Sequence, residues 1–128
     1  MALEPGRVFI GRGEADVILS RRAAGLVVMP APASAEYRWH PSVDRLVASA
    51  RRYVSASALV GVLMTGMGND GATEMAQLRA AGGRTIAESD ETAVVWGMPG
   101  ELVRLDGADV VAKLGNIAAQ LQAWAETE

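Results

Sequence analysis

The chain has 128 residues, half of them hydrophobic, a formal net charge of −3, one histidine and no cysteine. At this length one domain with an unstapled core is the natural count, and the apolar content excludes disorder. The mild negative charge gives no reason to expect a nucleic-acid partner. The missing cysteines exclude disulfides and a thiolate nucleophile, and with a single histidine they leave no ordinary zinc ligand set.

Residues 1–30 read as β structure. Pro5-Gly6 opens a short strand at Arg7–Ile10. Gly11–Glu14 is a turn, Val17–Leu19 a second strand, and Leu26–Met29 a third after the turn at Ala24-Gly25. Together they predict a small antiparallel hairpin or meander. Residues 30–41, with Pro30, Pro32 and Pro41, read as an extended loop. A helix is predicted over Ser42–Val54, because Val43, Leu46, Val47, Ala50 and Val54 fall on one face. Ser42 is its expected N-cap, and Asp44 suits the positive end of its dipole.

Leu59–Met64 is an apolar run that changes abruptly to Thr65-Gly66-Met67-Gly68-Asn69-Asp70-Gly71. A helix follows over about 71–81, stopped by Gly82-Gly83. Arg84–Glu88 is the next strand, and Ser89-Asp90-Glu91 reads as a plain acidic turn. Ala93–Trp96 precede a short helix with Pro99 near its first position. Asp109–Ala112 forms a last strand and Leu114–Ala125 a closing helix. From residue 59 on, strands alternate with helices, as in parallel βαβ units. The predicted fold class is therefore α/β, a mostly parallel, doubly wound but partial sheet with a small antiparallel hairpin near the N-terminus.

The glycine turn at Thr65–Gly71 is the candidate site. It could simply turn the chain, with Asp70 capping the helix at 71–81. The same geometry could receive developing negative charge on backbone N–H groups, while an aspartate there could orient a histidine. It is neither a Walker loop, lacking Gly-Lys-Ser/Thr, nor a dinucleotide fingerprint. His40-Pro41-Ser42-Val43-Asp44 mimics a triad, but residues so close in sequence rarely aim reactive atoms at one another. Ser42 is read as a cap, and His40 as a solvated or packing residue. Arg21-Arg22 and Arg51-Arg52 are read as solvated surface, Met64, Met67, Met75 and Met98 as core filling, and Trp96 as buried against a helix.

Several of these stretches occur together in one known family. Thr65–Ala72, Ala81–Ala87 and Val94–Pro99 resemble motifs of the catalytic domain of bacterial chemotaxis protein-glutamate methylesterases, the CheB family. Pro41–Asp44 and Leu3–Val8 are similar to motifs further upstream in it. The resemblance implies hydrolysis of glutamate methyl esters on chemoreceptors by a Ser-His-Asp triad, without cofactor or metal, in the cytoplasm. It implies that Asp70 is the triad carboxylate and that the Met67 backbone N–H helps receive the oxyanion. The family's nucleophilic serine, in a Ser-x-Gly-Gly type turn, and its base histidine lie upstream of the motif matching Leu3–Gly6. Neither has a counterpart here. The family's upstream hairpin usually has a proline and a histidine where Arg12 and Asp16 fall. The chain thus resembles a single methylesterase domain over 1–128, truncated at its N-terminal side and without a receiver domain.

Such a chain is expected to be inactive alone. The alternatives are a hydrolase completed by a partner chain or a longer product, and a non-catalytic protein-binding module. By resemblance its partners are the cytoplasmic helices of methyl-accepting chemoreceptors. Self-association through an exposed sheet edge is a further expectation, with no nucleic acid and no membrane insertion. Asp70, left without a histidine, is expected either to reach solvent or to cap the helix at 71–81.

Overall fold

The computed structural model describes residues 1–126. Two strands, β1 (Asp16–Arg22) and β2 (Gly25–Ala31), form the antiparallel hairpin, paired in register from Asp16↔Ala31 to Arg22↔Gly25. After it come α1 (Val43–Tyr53), a single 3₁₀ turn at Ala56–Ala58, β3 (Val60–Leu63), α2 (Ala72–Ala80), β4 (Arg84–Glu88), α3 (Met98–Arg104), β5 (Val110–Ala112) and α4 (Leu114–Glu126). Strands β3, β4 and β5 form a parallel sheet in that order.

Alternation along the strands assigns the two faces of this sheet. Leu63 and Ala87 turn toward a core with Ala72, Met75 and Leu102, which α1 closes with Val43 and Val47. Val62 and Ile86 turn to the other face, where Ala112 and Ile117 pack with Leu121 and Trp124. Helices thus cover both faces, as the alternating pattern requires. Met75, Leu78, Ile86 and Leu102 are fully enclosed, and each contributes about 2 kcal/mol by leaving water.

Three local readings need correction. Arg7–Ile10 belongs to no strand among the described residues, and Val8 and Ile10 are 85% and 88% exposed. An apolar strand sequence without a neighbour has nowhere to place its backbone hydrogen bonds. Strand β2 runs through Pro30 to Ala31, because Pro30 lies past the short stretch, Leu26–Val28, where residues 1–3 bond to the hairpin's outer edge, and an edge position tolerates a missing donor. Of the methionines read as core, Met75 is buried, but Met64 and Met67 are 42% and 73% exposed. They lie where the chain leaves the carboxyl end of β3, beyond the cover of the helices.

Gly71 joins the sheet to α2 with φ +88°, in the left-handed region open to glycine. A Cβ there would also stand 2.7 Å from Val43 Cγ1 and 3.1 Å from Leu63 Cδ1. Gly71→Ala is therefore expected to cost about 2 kcal/mol or more, from left-handed strain plus overpacking. Urea denaturation checks this, with a lower midpoint and an unchanged slope as the expected result.

Candidate active site

The Thr65–Gly71 turn lies at the carboxyl ends of the parallel strands, where open α/β sheets place their sites. Three sets of hydrogen bonds hold it. The Thr65 N–H donates to Glu88 Oε1 at 2.9 Å, and Thr92 Oγ1 donates to Glu88 Oε2 at 2.9 Å. The Thr65 hydroxyl accepts from the Val95 N–H at 2.9 Å and donates to the Val95 carbonyl at 3.2 Å. Gly66 donates to the Val95 carbonyl at 3.0 Å, and its own carbonyl accepts from the Gly97 and Met98 N–H groups at 3.1 and 2.8 Å. The 92–98 loop and the turn are therefore one unit, with the fully enclosed Glu88 carboxylate as its inner fastening.

Asp70 forms a further attachment, and it differs from expectation. It is 5% exposed, and it caps α1, not α2. One carboxylate oxygen accepts from the Val43 N–H at 2.7 Å. The other accepts from the Asp44 N–H at 3.0 Å and from the Ser42 hydroxyl at 3.5 Å. The reason is positional. The N-cap of α2 is Gly71, which has no side chain, and Asp70 stands one residue earlier and points across to α1. The first N–H groups of a helix have no intrahelical acceptor, and a carboxylate there also meets the positive end of the dipole. The expected cost of burying Asp70 is thus offset by donors the sequence spacing does not reveal.

Ser42 is the N-cap of α1 as expected, accepting from the Arg45 N–H at 3.1 Å. Asp44, in the first turn, accepts from the Glu74 N–H at 3.2 Å. Its carboxyl is held above the usual range by burial, reinforced by the nearby Asp70 and Glu74 carboxylates. Among the described residues, none accepts from the Met67 N–H, so that donor is available at the mouth of the turn. Gly68, with φ +91°, lies against Trp39, whose Cζ2 would stand 2.8 Å from any Cβ.

His40 is neither solvated nor a mere packing residue. Its Nδ1 lies 3.2 Å from Oδ1 of Asp16, a completely enclosed carboxylate. Asp16 Oδ1 also accepts from the Ser42 N–H at 2.8 Å, and Oδ2 accepts from Arg45 Nη1 at 2.8 Å. Burial pushes the Asp16 carboxyl up, but the Arg45, His40 and Ser42 donors outweigh it and leave it below the usual carboxylate range. The residues 40–44 do not form a triad. Ser42 caps a helix, His40 binds Asp16, and Asp44 accepts from the Glu74 N–H.

Two more readings are modified. Arg51 pairs with Glu74 at 2.7 Å. Trp96 is 38% exposed, its ring lying against Gly100 of α3 while its indole N–H donates to the Glu88 carbonyl at 2.7 Å. Asp16 and Glu88 were missed as organising residues. The one available signal was an acidic residue directly beside a short apolar stretch, Asp16 before Val17–Leu19 and Glu88 after Ile86-Ala87.

A glycine turn at the carboxyl edge of an α/β sheet, with a buried aspartate and an open backbone donor, offers two groups of the kind hydrolase sites use, an orienting carboxylate and an oxyanion donor. The sequence pattern of the CheB methylesterase family matches residues 1–121, and the chain belongs to that family. It is 56% identical over 126 residues to protein-glutamate methylesterase/protein-glutamine glutaminase 2 of Rhodopseudomonas palustris strain BisB18, covering 98% of this chain and 34% of that one. It is 52% identical over 124 residues to the corresponding protein 3 of Rhodospirillum rubrum, with 97% and 34% covered. The chain thus spans about a third of the length of these curated relatives. The crystal structure of the Thermotoga maritima CheB methylesterase catalytic domain superposes with a TM-score of 0.76 at 29% identity. The match covers 85% of this chain and 57% of that one.

Two outcomes follow from the bonding. Asp70→Ala leaves buried α1 donors without an acceptor and is expected to cost about 3 kcal/mol. His40→Ala is expected to be coupled to it by about 0.5 kcal/mol or more, since His40 reaches Asp70 through Asp16 and Ser42, and to be coupled more strongly to Asp16 itself. A denaturation double-mutant cycle reads both. For Asp16, the lowered folded pKa means stabilisation that is full above the unfolded value, near 4, and lost as pH falls through the folded value. Wild type should weaken steeply below about pH 4, and Asp16→Asn, less stable at about pH 7, should converge with it in acid.

Proposed function

We propose that the chain is the carboxyl-terminal part of a protein-glutamate methylesterase catalytic unit, and that it does not turn over substrate alone. The observation that carries this is the bonding of Asp70. Its carboxylate is filled by α1 donors, while the chain's one histidine is bound to Asp16. In the reaction the relatives' names imply, water converts a glutamate methyl ester to a carboxylate and methanol through an acyl-serine intermediate. The base takes the serine's proton and returns it to the departing methoxide. By resemblance Asp70 would orient that base and the Met67 N–H would receive the oxyanion. Neither forms or breaks a bond itself. Without nucleophile and base, turnover falls on the order of a million-fold.

The substrate class would be methylated glutamates of chemoreceptor helices, in the cytoplasmic chemotaxis apparatus. No helix among the described residues is long and apolar enough to cross a membrane. A second reading, a hydrolase completed by another polypeptide, is favoured by the bare outer edge of β3.

The test is methanol release from a methylated chemoreceptor fragment by the purified chain. No release above the no-enzyme control is expected. Release that persists through purification and disappears on Asp70→Ala would overturn the reading.

A further inference from the structure

Helix α1 presents two faces. Val43 and Val47 of its apolar stripe meet the sheet core. Arg45, Ser49, Arg52 and Tyr53, at i, i+4, i+7 and i+8, share the face turned to the hairpin. With Tyr37 and residues 18–20 of β1 they line a cavity of about 250 Å³. The Ser49 hydroxyl ties its two walls together, accepting from the Leu19 N–H at 2.9 Å and donating to the Leu46 carbonyl at 2.8 Å.

The other polar groups of the lining have bonding capacity left over. Arg45 makes both its bonds, to Asp16 and to the Pro32 carbonyl, through Nη1 alone, so Nε and Nη2 donate to no described residue. Arg52 forms no ion pair among the described residues and lies over the Tyr53 ring, 5.4 Å from its centroid. The Ser20, Tyr37 and Tyr53 hydroxyls bond to no described residue. No buried side-chain N or O among these residues lacks a partner, so each of the three reaches open space. Arg21, whose Nη2 donates to the Tyr53 carbonyl at 3.3 Å, brings a further guanidinium close by. None of the lining residues is acidic. Burial, with Glu36, Glu74 and Asp44 nearby and against the opposing pull of Arg45, holds the Tyr37 hydroxyl above its usual range, so it stays protonated and donates. On a chain of net charge −3, this face gathers cations and donors.

We propose that this cavity binds a phosphate group, free or at the end of a small organic ester. Two guanidiniums and three hydroxyls reach it from a helix, a loop and a strand. A tetrahedral oxyanion accepts from that many directions, whereas a planar carboxylate presents two oxygens. Ile18, Leu19 and the tyrosine rings supply an apolar wall for a short carbon portion, and at about 250 Å³ the cavity is smaller than those that drug-sized ligands fill. No residue of the Thr65–Gly71 turn lines it, and the proposal does not depend on the hydrolase reading.

Inorganic phosphate and phenyl phosphate are titrated into the 128-residue chain at constant ionic strength and about pH 7.5, where a phosphate monoester is doubly charged. Amide and arginine side-chain NMR follows the binding. Saturable shifts confined to residues 18–20, 37 and 45–53 are expected, with a Kd of about 1 mM or below. Arg52→Gln, at an exposed side chain without an ion pair, should weaken binding about tenfold and leave the melting of the chain unchanged. Tyr53→Phe, which loses one hydroxyl, should weaken it about threefold. Arg38→Gln, at a side chain lying over Trp39 and outside the cavity, should leave it unchanged. Tighter binding of phenyl phosphate assigns the site to an ester, and equal binding assigns it to free phosphate. No saturation by about 20 mM, shifts spread over arginines outside the cavity, benzoate binding as tightly as phenyl phosphate, or binding indifferent to both Arg52→Gln and Tyr53→Phe would each overturn the proposal.

Discussion

The Asp70 carboxylate is the contact on which the rest of this structure depends. It joins the turn after β3 to the N-terminus of α1, so that sheet, turn and helix keep one geometry. Without it, α1 would present unsatisfied N–H groups to the base of the site, and the glycine turn would lose its fixed end. Glu88 does the corresponding work at the other end of the turn, through the Thr65 N–H and the Thr92 hydroxyl. A glycine-rich backbone has little stiffness of its own. Here its shape is imposed by two buried carboxylates, each supplied with backbone and hydroxyl donors.

A third buried carboxylate lies nearby. Asp16, at the start of the hairpin, collects Arg45, His40 and the Ser42 N–H, and so ties the hairpin to α1. With Asp70 it brackets the first turn of the helix. Three of that turn's backbone donors go to side-chain acceptors: Val43 and Asp44 to Asp70, and Arg45 to Ser42. The first turn of α1 is thus tightly fixed, while its apolar face beside β3 remains only half covered.

Much of the architecture was legible in the chain itself. The 3.6-residue spacing of Val43, Leu46, Val47 and Ala50, the apolar run before Thr65, and Gly82-Gly83 after α2 each mark an element by local chemistry, and the elements stand where that chemistry puts them. The glycine turn was legible as a site because strand, glycine and helix occur in that order. What could not be read were bonds between parts distant in sequence. Asp70 reaches a helix 26 residues earlier at Asp44, and Asp16 reaches His40 across 24 positions. Arg7–Ile10 has the composition of a strand, but a strand exists only where a neighbour accepts its hydrogen bonds. Pattern within a segment cannot report that its neighbour is absent.

Asp70 is bound by a helix terminus and not by an imidazole. Amide hydrogen exchange at Val43 and Asp44 tests this most directly, because these first-turn N–H groups have no intrahelical acceptor. In the unmodified chain both should be strongly protected, and in Asp70→Ala both should exchange rapidly while the amides of β4 remain slow. Fast exchange at Val43 and Asp44 in the unmodified chain, or protection indifferent to Asp70→Ala, would contradict it.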